Sequence, residues 1–244
     1  MDNLEIYNPL SVRSLFDEMS HTYGTVNLIS SFGFCTIWRH QCVNQLSFSS
    51  STTVCDLMSG MGECWRSIDS QSKTKIKVVA LDFSAEMCRK AKRFINEYDG
   101  LSVEILMEDV LNNSIPNASV DCIVSTFGLK TFSEEQLQQL AAEMTRILKP
   151  GGLFSLLEIS VPPNKALKAI YMVYLKRMIP LIGRALMGNA DNYRMLGIYT
   201  EKFKDCRWMC EKMRQAGLSV EYRSYFFGCA SSLVGSKPLN YDAV

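Results

Sequence analysis

The chain has 244 residues, 47% of them hydrophobic, with 26 basic and 25 acidic side chains. That length suits one α/β domain with an accessory cap and is enough to enclose a large core. The charges nearly balance, so the basic excess with which proteins hold nucleic acid is missing and no nucleic acid partner is expected.

Residues 1–50 read as helical and are expected to form a lid. Ser11 is placed to cap a helix through Leu15, Phe16 and Met19, and a second helix runs from about Phe34 through Trp38 and Val43 to Leu46. Asp2 and Glu5 stand at the N-terminus with no apolar run, which reads as no signal peptide. The polar stretch Ser47 to Thr53 reads as a linker, and the pattern changes after it. β-rich runs at Val54–Met58, Ile76–Leu81, Val103–Met107, Val120–Ser125 and Leu153–Ile159 alternate with helical patterns at Ser84–Glu97 and Glu134–Leu148. Strand–helix alternation of this kind predicts a parallel sheet with helices on both faces, over about residues 53–160. Ser84 should open its helix in a capping-box manner with Glu86 in the first turn. Pro150-Gly151-Gly152 should stop the helix before Lys149.

Residues 161–200 read as a cap on the acceptor side, with a helix at about Lys165–Met178. Residues 201–244 supply a helix at about Glu201–Ala216 and β-like runs near Ser219–Phe227. The most apolar stretch, Ala166 to Met187, carries Lys168, Lys176, Arg177 and Arg184 with Pro180 in its middle. A spanning helix needs about 20 predominantly apolar residues, so no transmembrane segment is expected. A greasy entrance touching a membrane surface remains open as a second reading of this stretch. The nine cysteines include no CxxC pair, and only His21 and His40 could accompany them. No metal site is therefore expected; the cysteines read as the reduced, buried thiols of a cytoplasmic protein.

Three motifs carry chemistry. The first strand ends in Asp56-Leu57-Met58-Ser59-Gly60-Met61-Gly62-Glu63, and glycines at the carboxyl end of a strand let backbone approach a ligand. Leu81-Asp82-Phe83-Ser84 puts a carboxylate at the end of the second strand, where it can accept both hydroxyls of a ribose. Glu108-Asp109-Val110 follows the third and offers acceptors to an adenine amine, or is simply a solvated loop. A dinucleotide fingerprint needs a third glycine for close helix packing, and Trp65 stands there. No GK[ST] sequence marks a phosphate loop. A nucleoside ligand without phosphates remains, and S-adenosylmethionine is the commonest.

With these residues in place, the chain resembles the class I S-adenosylmethionine-dependent methyltransferases, and among them the ubiquinone/menaquinone C-methyltransferase group. The resemblance runs over nearly the whole chain: Phe16-Asp17, Tyr23, Asn27 and Trp38-Arg39; Asp56-Leu57 with Gly60-Met61-Gly62; Asp82-Phe83-Ser84 with Met87; Phe127-Gly128-Leu129; Leu148-Lys149-Pro150-Gly151-Gly152; and Gly188-Asn189-Ala190-Asp191 with Tyr193-Arg194. It implies a Rossmann-like, seven-stranded, mostly parallel sheet with a helical lid and cap. It implies S-adenosylmethionine held by Tyr23, Asp56, Met58, Gly60, Met61, Gly62, Asp82, Phe83, Met87, Glu108, Asp109, Val110, Ser125, Thr126 and Phe127. The acceptor, a small molecule that in such enzymes can be lipophilic, falls to Trp38, Arg39, Leu129, Lys130, Tyr193 and Arg194. Departures stand at Lys130-Thr131, where the family commonly has Arg-Asn, at Met61, where it has threonine, and after Gly228, where its C-terminal histidine has no counterpart.

Methyl transfer from a sulfonium is an in-line displacement, so the protein must align two partners and exclude water. His21 is the natural general base if it points inward, Lys130 could orient an anionic acceptor, and Asp191 could bind acceptor oxygens. Each has a plain alternative, as exposed helix-end histidine, surface lysine or structural ion-pair partner. C-methylation of an aromatic or quinone-like acceptor is the leading reading. O- or N-methylation, amino transfer of the rhodoquinone-forming type, and a non-catalytic cofactor-binding module are the alternatives.

Overall fold

The computed structural model describes residues 5–239, so Asp2 lies outside the described residues. Five parallel strands, β1 (Thr53–Leu57), β2 (Ile76–Leu81), β3 (Leu101–Leu106), β4 (Val120–Thr126) and β5 (Leu148–Ile159), are joined by β6 (Ser219–Tyr225) and β7 (Ala230–Ser236). The order is β3-β2-β1-β4-β5-β7-β6, with β7 antiparallel to both β5 and β6. The order reverses direction at β1, between β2 and β4, and a crevice opens there at the carboxyl ends of the strands.

Side-chain alternation explains why both faces are covered. Cys55, Leu57, Val79, Leu81 and Ile123 point into one apolar core, with α6 (Glu134–Ile147) and α10 (Arg207–Gln215) packed on it. Val54, Val78, Ala80, Cys122 and Val124 point into the other, under α3 (Phe34–Val43) and α4 (Trp65–Gln71). A third cluster joins α1 (Pro9–Met19) and α2 (Tyr23–Ser30) to Met87 of α5 (Ala85–Ala91) and to Tyr193 and Tyr199 of α9 (Ala190–Phe203). The lid and cap thus meet over the crevice.

Several expectations are corrected. The first helix is capped by Asn8, not Ser11: Asn8 Oδ1 accepts the Leu10 N–H and Pro9 occupies the first helical turn, where no N–H is needed. Ser84 does cap α5, accepting the Met87 N–H at 3.1 Å, but with methionine three residues on no reciprocal box forms. A full capping box opens α6, between Ser133 and Gln136. The pattern read as Lys165–Met178 is α7 (Lys165–Val173), a π turn at Tyr174–Met178 and α8 (Ile179–Ala185). Glu201–Ala216 is the end of α9 and α10, parted at Lys204, whose φ of 64° breaks the helix. The strand expected from Leu153 starts at Leu148, because Pro150-Gly151-Gly152 forms a bulge: pairing jumps from Val120–Leu148 to Cys122–Leu153.

All nine cysteines are buried and unpaired. Among the described residues no helix is long and apolar enough to cross a membrane.

The glycine turn after β1 ties fold to site. Gly62 has φ 88°, and a Cβ there would sit 2.5 Å from the fully buried Trp65 ring. Gly62→Ala is expected to cost about 2 kcal/mol or more, combining left-handed backbone strain with displacement of the indole. Urea unfolding measures it, and wild-type stability in the variant would refute this account of the turn.

Candidate active site

β1 hands its chain to a turn in which Met58 (φ 56°) and Gly60 (φ 57°) both take left-handed conformations. The Ser59 N–H donates to the Leu81 carbonyl at 3.0 Å, which fastens the turn to β2. The Gly60 N–H donates to Asp82 Oδ2 at 2.8 Å and the Ser84 N–H to Asp82 Oδ1 at 2.9 Å. Asp82 is thereby fixed at the mouth of the crevice with a lone pair left on each oxygen, an arrangement able to accept two vicinal hydroxyls. Trp65, which stands where a dinucleotide site has its third glycine, packs its ring against Gly62 and closes that space.

The turn gathers negative charge. Asp56, Glu63 and Asp82 all line one cleft of about 900 Å³, and Arg39 from α3 reaches the same space. Burial pushes the Asp82 carboxyl up to about 6, against the pull of its two backbone N–H donors. Burial, reinforced by Glu63 and Asp82, holds Asp56 well above the usual carboxylate range. Burial opposes the Arg39 charge, yet Glu63 keeps its guanidinium above the ordinary value. Arg39 Nε, Glu63 Oε1 and Asp56 Oδ2 are buried without hydrogen-bond partners. Unpaired buried polar atoms are costly, and these three converge on one cleft. One cation and two carboxylates are the complement of an amino-acid zwitterion beside a sulfonium. S-adenosylmethionine fits this donor set: its carboxylate toward Arg39, its ammonium toward Glu63 or Asp56, its ribose on Asp82. Among the described residues no group of three or more His, Cys, Asp or Glu is arranged to hold a metal ion.

Of the residues expected at the cofactor, Tyr23, Asp56, Met58, Gly60, Asp82, Phe83, Met87, Glu108, Asp109, Val110, Thr126 and Phe127 line the cleft. Glu108 spends both oxygens on Ser114, and Asp109 Oδ1 accepts the Leu111 N–H at 2.9 Å. Both carboxylates therefore also shape their loop. Met61, Gly62 and Ser125 are not in the cleft wall: Met61 packs in the lid cluster, Gly62 supports Trp65, and Ser125 is buried in β4. Arg39, expected toward the acceptor, faces the cofactor cleft, with its guanidinium 5.1 Å over the Phe127 ring. Glu63, the last residue of the expected turn, also lines the cleft, and Thr131 and Gln136 do so unannounced. Neither Thr131 nor Gln136 gives a local signal in the sequence for that place.

A second cavity of about 1300 Å³ adjoins the first and shares Tyr23 and Phe127 with it. Its walls are mostly apolar, with Phe34 and Trp38 from α3, Leu167 and Tyr171 from α7, and Leu196 from α9. Lys130 is on its wall and is not a surface lysine. The ammonium donates to the Phe127 carbonyl and to Glu158 Oε1 at 3.0 Å, and the pair is almost fully buried. Glu158 also accepts the N–H groups of Lys130 and Ile159. Tyr193 lines the cavity with its hydroxyl bonded to Thr22 at 2.8 Å. Asp191 and Arg194 are exposed and line an outer cleft beyond α8, His21 is exposed and touches neither cavity, and Leu129 is sealed in the sheet core. Neither histidine, the only two in the chain, lines either cavity.

Comparison with known proteins agrees with this geometry. A demethylmenaquinone methyltransferase of Thermus thermophilus is 31% identical over 92% of this chain and 100% of its own length. One from Lactiplantibacillus plantarum is 27% identical over 97% of this chain and 99% of its own. Among solved structures, a putative S-adenosylmethionine-dependent methyltransferase from Methanococcus maripaludis superposes with a TM-score of 0.58 at 20% identity, covering 95% of both chains. Another, from Thermotoga maritima, described as a possible histamine N-methyltransferase, gives 0.60 at 15% identity over 92% of this chain and 98% of its own. The model of the ubiE/COQ5 methyltransferase family matches residues 5–237, and the chain belongs to that family of S-adenosylmethionine-dependent enzymes.

Proposed function

We propose that the enzyme C-methylates a quinone-like acceptor bound in the second cavity. The observation that carries this is the junction at Tyr23 and Phe127, where a polar, carboxylate-rich cleft meets a large apolar one. The relatives' names point to a quinone precursor, and an apolar chamber suits a ring with a greasy substituent. The acceptor-side contacts assigned here are Trp38, Lys130 and Tyr193. His21, Asp191 and Arg194 are not assigned, because they face away. Of the described residues, those up to 50 serve as lid, 53–160 as cofactor core and 161–200 as acceptor-side cap, and those from 201 to 239 complete the sheet. Nine buried free thiols suit a reducing, cytoplasmic setting.

When bound, S-adenosylmethionine supplies a methyl group already activated by the sulfonium charge. The chain's own residues do the rest. Asp82, Arg39 and Glu63 fix the donor end, and the Tyr23 and Phe127 rings border the passage to the acceptor and keep water out. Lys130 has three ammonium hydrogens, of which two are engaged. The third is free to hold the oxygen of an acceptor that binds as its phenolate, its proton already given up to solvent, and that charge raises electron density at the neighbouring ring carbon. Incubation with methyl-labelled S-adenosylmethionine and a hydroquinone lacking the ring methyl tests the reaction. One added methyl mass on a ring carbon is expected; an oxygen-linked methyl or an amino product would overturn the reading.

Three measurements probe the residue roles. Ribose hydroxyls donate to an ionised Asp82, so protonation removes an acceptor. Because the free protein's Asp82 is pushed up to about 6, cofactor affinity is expected to fall as pH drops through that value and to level off above it. For folding the sign is opposite. The raised carboxyl stabilises the unliganded fold at low pH, and this is lost as pH rises through about 6. Calorimetric titration across that range decides, and a flat profile would remove Asp82 from the ribose site.

Arg39→Met should weaken S-adenosylmethionine about tenfold or more by losing a charge-assisted contact. Equal affinity would place the amino-acid end elsewhere. Lys130→Met alone should destabilise the fold by about 3–5 kcal/mol, since Glu158 is left buried and charged. Adding Glu158→Gln should recover most of that stability while turnover stays low and cofactor affinity normal. Wild-type turnover in the double variant would take Lys130 out of the acceptor site.

A further inference from the structure

The mouth of the second cavity is ringed by apolar side chains held out to solvent. Phe32 is 80% exposed, Phe227 79% and Ile170 70%. The phenylalanines form one neighbourhood with the cavity wall: Phe32 stacks on Tyr174 at 6.4 Å, and Phe227 contacts Phe226 at 5.7 Å, which in turn sits 4.7 Å from Phe34; Ile170 precedes Tyr171 of that wall on α7. Three of these phenylalanines have left-handed backbone, Phe32 at φ 51°, Phe226 at 45° and Phe227 at 57°. Bulky residues avoid that region. Strain of this kind persists where a side chain is presented for use.

Charge is distributed to match. The three segments that carry this mouth, residues 19–55, 159–190 and 222–239, contain no aspartate or glutamate, although the chain has 25 acidic residues. The cap segment instead carries Lys165, Lys168, Lys176, Arg177 and Arg184. On it Ala166, Ile170, Val173, Arg177, Leu181 and Arg184 recur every three or four residues, and all are exposed. Apolar and basic side chains share one helical stripe, and Arg177 and Arg184 line an outer cleft in which Lys176 and Arg194 join them and Asp191 is the single acid. A protein partner would be met by a flat patch with mixed polarity. Projecting rings beside a surplus of cations suit instead a surface that is apolar inside and anionic outside.

We propose that this face docks on a bilayer bearing anionic headgroups, with Phe32, Phe227 and Ile170 inserted at the interface and Arg177 and Arg184 on the phosphates, so that a lipid-dissolved acceptor enters the second cavity without crossing water. The entry route rests on the reading of that cavity as the acceptor site; the docking face does not.

The test is co-sedimentation of the full chain with vesicles of phosphatidylcholine alone or mixed with phosphatidylglycerol. The protein should bind the mixed vesicles, and high salt should weaken binding. Phe227→Asn with Ile170→Gln removes one ring and one branched aliphatic side chain of apolar insertion at positions that line neither cavity. Asparagine tolerates the left-handed backbone and glutamine the helix. This variant should keep its melting temperature and cofactor affinity but lose about tenfold or more in vesicle binding. Arg177→Gln with Arg184→Gln should lose binding to the mixed vesicles only. Absence of wild-type binding to mixed vesicles, or wild-type binding by both variants, would overturn the proposal. A tail-less, water-soluble hydroquinone separates the two readings. Its methylation by all variants, with slower turnover only on a vesicle-embedded acceptor, supports docking. Vesicle binding without methylation of either acceptor would sink the proposed reaction and leave the docking face standing.

Discussion

The site is organised around an electrostatic imbalance. Asp56, Glu63 and Asp82 enter one cleft from the ends of two adjacent strands and the turn between them, and a single guanidinium, Arg39, answers them. Burial disfavours their charge first, and neighbouring carboxylates add to it, which is why Asp56 and Asp82 hold their protons above the usual range. The strand frame cannot relieve this by moving, since Asp82 is clamped by two backbone donors and Asp56 lies within β1. A ligand carrying a sulfonium and an ammonium relieves it. The cleft is therefore built at a cost to the empty fold that a cationic ligand offsets.

That imbalance also accounts for the lid. Arg39 arrives on α3, and the helices before it are tied down at points that keep the cleft covered. Asp17 Oδ1 accepts from the Ser84 hydroxyl at 2.6 Å and from the Glu86 N–H at 3.1 Å, joining α1 to the start of α5 beside Asp82. Glu18 accepts from Asn189 and Asn192, and Thr22 meets Tyr193, so the other side of the lid is fastened to α9. The motif Gly188-Asn189-Ala190-Asp191 with Tyr193-Arg194 thus holds lid to cap. Close packing explains its glycine, since a Cβ on Gly188 would meet the Thr22 hydroxyl at 2.8 Å.

Features with a local cause were legible in the sequence. Strand–helix alternation gave the parallel core, and Ile76–Leu81 matches β2 to the residue. Glycines and an aspartate at strand ends gave the cofactor cleft, because each answers a steric or hydrogen-bonding need within a few residues. What was missed depends on distant partners. Nothing near Lys130 signals that Glu158, 28 residues on, will bury its charge. Arg39 could be read only as lid packing or an acceptor contact until α3 was placed over the first strand's turn. The short α2 and α4 have too few turns for periodicity to register, and the break between α9 and α10 has neither glycine nor proline to announce it.

One short stretch after β4 coordinates both halves of the site. Thr126 faces the cofactor cleft, Phe127 borders both cavities, and Lys130 faces the second. Phe127 pays for this position with a φ of 66°, held by its N–H on the Leu157 carbonyl at 2.8 Å and by the ammonium of Lys130 on its own carbonyl. The ion pair with Glu158 therefore does two things at once. It fixes a cation on the wall of the second cavity, and it locks the strained residue that borders both cavities.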